Sequence, residues 1–223
     1  MPRRARVVVG GWCYHVVSRG NNRATVFHEP RDFHGFLILM GRAQQLLPID
    51  MLAACLMPNH FHVVLRPREP ADLGRWVHWL LTSHSSRHHH RHESTGRIWQ
   101  GRFKSFAIQD DRHLVTVLRY VERNALRAGL VTRAEEWPWG SLAWRSGLAP
   151  GPPLCPPPVP LPGSWLMYVN ESQSRTEIKE LRTCAARQWP FGDEKWVADA
   201  ASQLHLAPSL RPRGRPRKAG NHQ

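Results

Sequence analysis

The sequence predicts an α+β fold: a ferredoxin-like, split βαβ antiparallel sheet with helices on one face, then a small helical C-terminal extension and a basic tail. Three observations predict it. Short β-branched and aromatic segments interleave with segments whose apolar residues recur at helical spacing. Two strand-like segments are separated only by Pro58-Asn59, a hairpin signal. A proline-rich stretch at residues 148–163 closes this block, because no helix or central strand can cross it.

Residues 14–19 are aromatic and β-branched and end at the turn residues Gly20-Asn21-Asn22, so they read as a strand. Residues 30–47 carry Phe33, Phe36, Leu37 and Met40 at helical spacing. Residues 50–57 and 60–66 are the two arms of the hairpin. Residues 72–86 are again helical, through Leu73, Trp76, Val77, Leu80 and Leu81. Residues 103–109 form a further strand. Asp110 or Asp111 then caps a helix running to about Arg127, with Gly129 where a helix stops. The organisation that follows is a globular block at 9–145, a linker at 146–163, a helical segment at 164–206 and a tail at 207–223.

Composition speaks about partners. The 223 residues hold 31 Lys+Arg against 17 Asp+Glu, a formal net charge of +14, and only four of the 31 cations are Lys. A surplus dominated by Arg favours phosphate and bases, hence nucleic acid before membrane. There is no apolar run near the roughly 20 residues a membrane helix needs. Val7-Val8-Val9 is cut by Gly10-Gly11, so no signal-peptide core follows the charged N-terminus. Cys13, Cys55, Cys155 and Cys184 form no C-x-x-C pair, which argues against a zinc finger or a disulfide scaffold. A reduced, cytoplasmic and nucleoid-associated protein is expected.

The sharpest local motif is Pro58-Asn59-His60-Phe61-His62-Val63. Alternation along a strand projects His60 and His62 from one face, where two imidazoles can converge on a divalent cation. The helix after Asp111 carries an apolar face of Leu114, Val117, Leu118, Val121 and Ala125. Its polar stripe is His113, Thr116, Tyr120, Asn124 and Arg127, with Tyr120 and Asn124 one turn apart. Residues 97–106 interleave Arg97, Arg102 and Lys104 with Trp99, Phe103 and Phe106, a composition that can hold phosphates and stack bases. Arg19 and Arg23, beside the first turn, are further backbone-contact candidates. His88-His89-His90 with His92 reads as a solvated helix end or loop, and Trp76, Trp79, Trp137 and Trp139 as packing groups.

Taken together these motifs resemble the HUH-type single-tyrosine transposases, best the REP-associated tyrosine transposases, relatives of the insertion-sequence-200-like transposases. The resemblance runs from about Val9 to Trp144. It includes Tyr14-His15-Val16-Val17-Ser18-Arg19-Gly20-Asn21-Asn22-Arg23 and Met57-Pro58-Asn59-His60-Phe61-His62. It continues through Trp99-Gln100-Gly101-Arg102-Phe103-Lys104, Tyr120-Val121-Glu122-Arg123-Asn124-Ala125-Leu126-Arg127 and Trp137-Pro138-Trp139-Gly140-Ser141. One departure is Ala125, where relatives often have Pro after the Asn; the helix is expected to run on there. The resemblance implies Tyr120 as nucleophile, with Mg²⁺ or Mn²⁺ held by His60, His62 and Asn124. The substrate it implies is single-stranded, hairpin-associated (REP-like) DNA, cleaved and rejoined through a 5′-phosphotyrosyl bond. Arg19, Arg23, Arg102, Lys104 and Arg127 are the expected DNA contacts, and a monomer is favoured over a dimer.

The tail segment Pro212-Arg213-Gly214-Arg215-Pro216-Arg217-Lys218 resembles an AT-hook, which implies AT-rich duplex as a second partner through Arg213, Arg215, Arg217 and Lys218. Three rival readings follow from the same residues. A catalytically silent regulator of repeat hairpins would not need Tyr120. An RNA-binding module would put aromatics where this strand puts histidines. A two-metal hydrolase would need carboxylates that Val63-Val64-Leu65-Arg66 does not supply.

Overall fold

A computed structural model describes residues 6–207. At its centre is a four-stranded antiparallel sheet in the order β2-β3-β1-β4: β1 Cys13–Arg19, β2 Ile49–Met57, β3 His60–Pro67 and β4 Lys104–Ile108. α1 (Pro30–Leu46) links β1 to β2, and α2 (Pro70–His92) links β3 to β4. This is the split βαβ arrangement that the sequence predicts, with every strand end within one residue of expectation.

Strand alternation divides the core in two. Tyr14, Val16, Phe61, Val63 and Leu65 pack beneath α1 and α2 in one buried cluster. Cys13, Cys55, Val64, Phe106 and Ile108 point the other way. There α3 (Arg112–Glu122) covers them with Leu114, Val117, Leu118 and Val121. Helices were expected on one face; they cover both. The reason lies in the central strands β1 and β3, which are apolar on both sides and need cover on both.

Two helices depart from expectation at their ends. α2 runs on to His92, six residues past the predicted stop. The apolar period fades there because imidazoles occupy the inward positions. His84 is buried against Phe27, Phe36 and Trp99, and His88 is half-buried beside it. The histidine run is therefore not a solvated end as a whole. His92 Nε2 pairs with the Asp32 carboxylate at 3.1 Å, and His89 bonds Ser94 Oγ and the Gly96 carbonyl, both at 3.0 Å.

The helix after Asp111 was expected to be continuous to Arg127. It starts as predicted, with the Asp111 carboxylate accepting from the His113 N–H at 2.8 Å. It then stops at Glu122, turns at Arg123, and resumes as a single turn, α4 (Asn124–Arg127). Position 125 is thus the second residue of a new helical turn, and its N–H is directed at the buried Cys55 sulfur. Gly129 closes α4 at φ +71° in a Schellman cap, with Leu130 N–H on the Ala125 carbonyl (3.1 Å) and Gly129 N–H on that of Leu126 (3.0 Å).

Both sheet edges are sealed by later chain. The proline-rich segment has no helix or strand and meets β2, with the Cys155 N–H donating to the Met51 carbonyl at 2.8 Å. Phe191 pairs with β4 through the Ala107 carbonyl (2.9 Å) and the Gln109 N–H (3.0 Å). α5 (Ser141–Arg145) precedes the first strap, α6 (Trp165–Asn170) and α7 (Arg175–Arg187) lie between the two in sequence, and α8 (Glu194–Gln203) follows the second. Trp165, Val169, Leu181 and Cys184 join the core beneath α3. Among the described residues no helix is long and apolar enough to cross a membrane.

Candidate active site

The site lies on the sheet face that α3 covers. In the β1–β3 register Arg19 lies opposite His60 and Val17 opposite His62. β4 sets Lys104 opposite Val17 and Phe106 opposite His15. Alternation therefore brings His15, Arg19, His60, His62 and Lys104 to one face, and the paired histidines of the hairpin converge as their spacing predicts.

The two histidines stand edge to face with ring centroids 5.0 Å apart. His60 Nδ1 lies 2.6 Å from Asn59 Oδ1, an acceptor, so that nitrogen carries the proton and the lone pair is on Nε2. His62 Nδ1 lies 2.8 Å from His15 Nε2, which leaves Nε2 of His62 uncommitted too. Burial, with Arg19 and Arg127 adding like-charge repulsion, pushes His60 down to about 4. Burial lowers His15 to about 3, with Arg127 adding to it. His62 is held well below the ordinary histidine value by burial and then by His15 and His60. All three rings are neutral at physiological pH, the form in which an imidazole nitrogen can bind a cation.

Tyr120, at the end of α3, presents its ring edge-on to His62 and His15, with centroids 5.9 and 6.3 Å away. Arg127 holds it in place. Its guanidinium lies 4.0 Å over the ring, donates through Nη1 to the Tyr120 carbonyl at 3.1 Å, and through Nη2 to Asn124 Oδ1 at 2.9 Å. The turn at Arg123 makes this possible, because a straight helix would spend the Tyr120 carbonyl on the N–H of residue 124. Asn124 is buried, and its Nδ2 has no hydrogen-bond partner.

These residues fit a divalent cation. Two neutral imidazoles have Nδ1 fixed and Nε2 free, and the buried Asn124 Oδ1 beside them accepts one bond from Arg127 and keeps a second lone pair. No group of three or more His, Cys, Asp or Glu side chains among the described residues is arranged as a metal site.

A cleft of about 1130 Å³ opens over the site, lined by His60, His62, Tyr120, Asn124 and Arg127. Of the expected DNA contacts, Arg19, Arg102, Lys104 and Arg127 line it. Arg23 does not: it sits in the exposed turn beyond β1, where its carbonyl accepts from Asn59 Nδ2 at 3.0 Å. Arg213, Arg215, Arg217 and Lys218 lie outside the described residues.

Sequence reasoning missed three participants. His15 supports His62, but its role depends on which strand pairs with the hairpin, and no local spacing reveals that. Arg6 stacks 3.8 Å over Phe103 and donates to its carbonyl at 2.6 Å, bracing the wall that carries Lys104. Arg182 reaches the cleft from α7.

A family model described as "Transposase IS200 like" matches residues 9–124. A curated Haemophilus influenzae protein described as a REP-associated tyrosine transposase is 26% identical over 105 residues, covering 42% of this chain and 59% of that one. The chain thus spans about three-fifths of that relative's length. A solved structure of a REP-associated tyrosine transposase bound to a REP hairpin is similar in fold, with a TM-score of 0.53 at 19% identity. It covers 67% of this chain and 89% of the other. The family match takes in β1, the histidine hairpin, Tyr120 and Asn124, and spans more than half of the sequence: the chain belongs to the IS200-like transposases.

Proposed function

We propose that the protein is a single-tyrosine transposase of the REP-associated type. It cleaves and rejoins single-stranded, hairpin-associated DNA through a 5′-phosphotyrosyl bond. One observation carries the reading: Tyr120 meets His60, His62 and Asn124 in a single cleft whose walls supply Arg19, Arg102, Lys104 and Arg127. The hairpin class of substrate is carried over from the solved relative, which is described as bound to one. Because all these groups meet within one chain, the reading includes a monomer.

In the reaction the Tyr120 oxygen attacks phosphorus in line and the bond to the 3′ oxygen breaks. The phenolic proton is lost, and the 3′ oxygen leaves as a hydroxyl. The phosphodiester is conserved as a phosphotyrosine, so a second 3′-hydroxyl can attack it and restore Tyr120. Arg127 fixes the direction of the phenol, and the wall cations hold the flanking phosphates. Mg²⁺ or Mn²⁺ bound by His60, His62 and Asn124 would supply polarisation of the scissile phosphate.

The test is a denaturing gel of protein with Mn²⁺ and a 3′-labelled hairpin oligonucleotide from repeats flanking its gene. Label should travel with the wild type and not with Tyr120→Phe. An adduct on the Phe variant removes Tyr120 as nucleophile. Tight hairpin binding by the wild type without any adduct favours a regulator that binds repeats without cutting them.

A further inference from the structure

The helical extension lies beyond the residues matched by the family model, yet α7 forms part of the wall around the catalytic cleft. Its inner face, Leu181 and Cys184, is buried in the core beneath α3. Its outer face is a cationic stripe. Arg175, Lys179, Arg182 and Ala186 follow at intervals of four, three and four, so they lie along one side of the helix.

That stripe borders a second groove of about 590 Å³, lined by five cations, Arg127, Arg175, Lys179, Arg182 and Arg187, and by no carboxylate. Arg127, Arg182 and Ala186 line both this groove and the catalytic cleft, so the two are continuous. Arg175, Lys179 and Arg182 form no ion pair within 4.0 Å among the described residues. Arg182 lies close enough to Arg127 that its charge, after burial, helps to lower the Arg127 guanidinium below its ordinary value. An uncompensated row of like charges leading away from a catalytic tyrosine fits a polyanion that continues from the reacting phosphate.

We infer that α7 is the far wall of the DNA channel: Arg175, Lys179 and Arg182 bind successive phosphates of the single strand that runs on from the phosphate Tyr120 attacks. The inference rests on the function proposed above. Arg127 is the hinge between the two halves, with one side on the Tyr120 ring and the other facing Arg182. The contacts are to backbone, so they add length-dependent affinity without base preference.

The experiment uses the full chain with Arg175→Gln, Lys179→Gln and Arg182→Gln combined. All three side chains are exposed, and a thermal melt checks that the fold is retained. Fluorescence anisotropy compares a labelled hairpin with and without a single-stranded extension, over a salt series. Each phosphate contact on a single strand contributes a slope of about 0.7 in log K against log salt. The variant should therefore lose about 2 in slope and at least tenfold in affinity on the extended hairpin, with the bare hairpin unaffected. An unchanged slope on the extended hairpin overturns the inference. So does an equal loss on a blunt duplex, which would assign the groove to double-stranded backbone. Binding is read without strand cleavage, so the two readings fail separately. A lost slope without an adduct from the wild type would retain the channel and reject the nuclease. An adduct with an unchanged slope would do the reverse.

Discussion

Glu122, two residues after the candidate nucleophile, is one of the points at which α3 is fixed to the rest of the chain. Its side chain is fully buried. One oxygen accepts from Ser141 Oγ at 2.6 Å and from Arg145 Nη2 at 3.3 Å, the other from Trp165 Nε1 at 2.6 Å. Three donors from α5 and α6 therefore converge on one carboxylate. Glu122→Gln keeps the shape and removes the charge. With the amide oxygen towards Trp165, the new NH2 group faces Ser141, which can turn to accept, and the Arg145 guanidinium, which cannot. With the amide reversed, the Trp165 N–H faces another donor. Either way one charge-assisted bond becomes a donor–donor contact, at a cost of about 2–3 kcal/mol. Arg145 retains its bond to the Leu52 carbonyl at 2.7 Å and is part-exposed, so water limits the loss. At about 2–4 °C per kcal/mol for a chain of this size, the melting temperature should fall by roughly 4–12 °C. A fluorescence-monitored melt at pH 7.5 measures it. A fall of less than 1 °C would refute the claim that this carboxylate acts as a buried, fully used acceptor.

Two further outcomes follow from the histidines. His15→Phe preserves the ring's packing but removes the acceptor that fixes the His62 Nδ1 proton. Titration calorimetry should show Mn²⁺ affinity falling by about 10- to 100-fold, while the melting temperature holds, because the buried, unpartnered His15 Nδ1 goes with the ring. Unchanged affinity would leave His15 a packing residue. His84, far from the site, is pushed down to about 3 by burial and then by His88. Below the unfolded value of about 6.5 the unfolded chain takes up a proton that the native state refuses, so stability falls as pH drops from 6.5 towards 3, by up to about 1.4 kcal/mol per pH unit. His84→Phe should flatten the denaturant midpoint between pH 6.5 and 5 relative to wild type; parallel curves would show that His84 is protonated in the native state.

The sheet was legible because strand signals are local: alternation, Gly20-Asn21-Asn22 and Pro58-Asn59 set every strand within one residue. The histidine pair was legible for the same reason, since residues two apart on a strand share a face. Three features were not. The reach of α2 was hidden because His84 and His88 fill positions where an apolar period is sought. The turn at Arg123 was hidden because nothing in Arg123-Asn124-Ala125 breaks a helix. There Arg127 takes the Tyr120 carbonyl, a contact that exists only once α4 has formed. His15 and Arg182 were hidden because each reaches the site through register or docking between distant segments, and neither leaves a mark in local spacing.

The extension also bears on how firmly Tyr120 is held. α3 is gripped by it on the residues that flank the tyrosine. Arg119 lies 4.1 Å over the Tyr168 ring and donates to the Glu171 carbonyl at 2.8 Å, and Arg123 Nε donates to the same carbonyl at 2.7 Å. Glu122 is held from α5 and α6 as described. Within five residues, then, Tyr120 points into the cleft while Arg119, Glu122 and Arg123 point into the docked chain. In-line attack tolerates little displacement of the nucleophile. A lone 11-residue helix resting on a sheet through four apolar side chains would be free to slide. Its C-terminal end instead carries charge-assisted bonds whose partners are fixed by the extension, and Arg127 clamps the tyrosine itself from the turn beyond. The segment that lies outside the family match is thus tied to the residues around Tyr120 at three points, Arg119, Glu122 and Arg123, and any loosening of it should appear first at Tyr120.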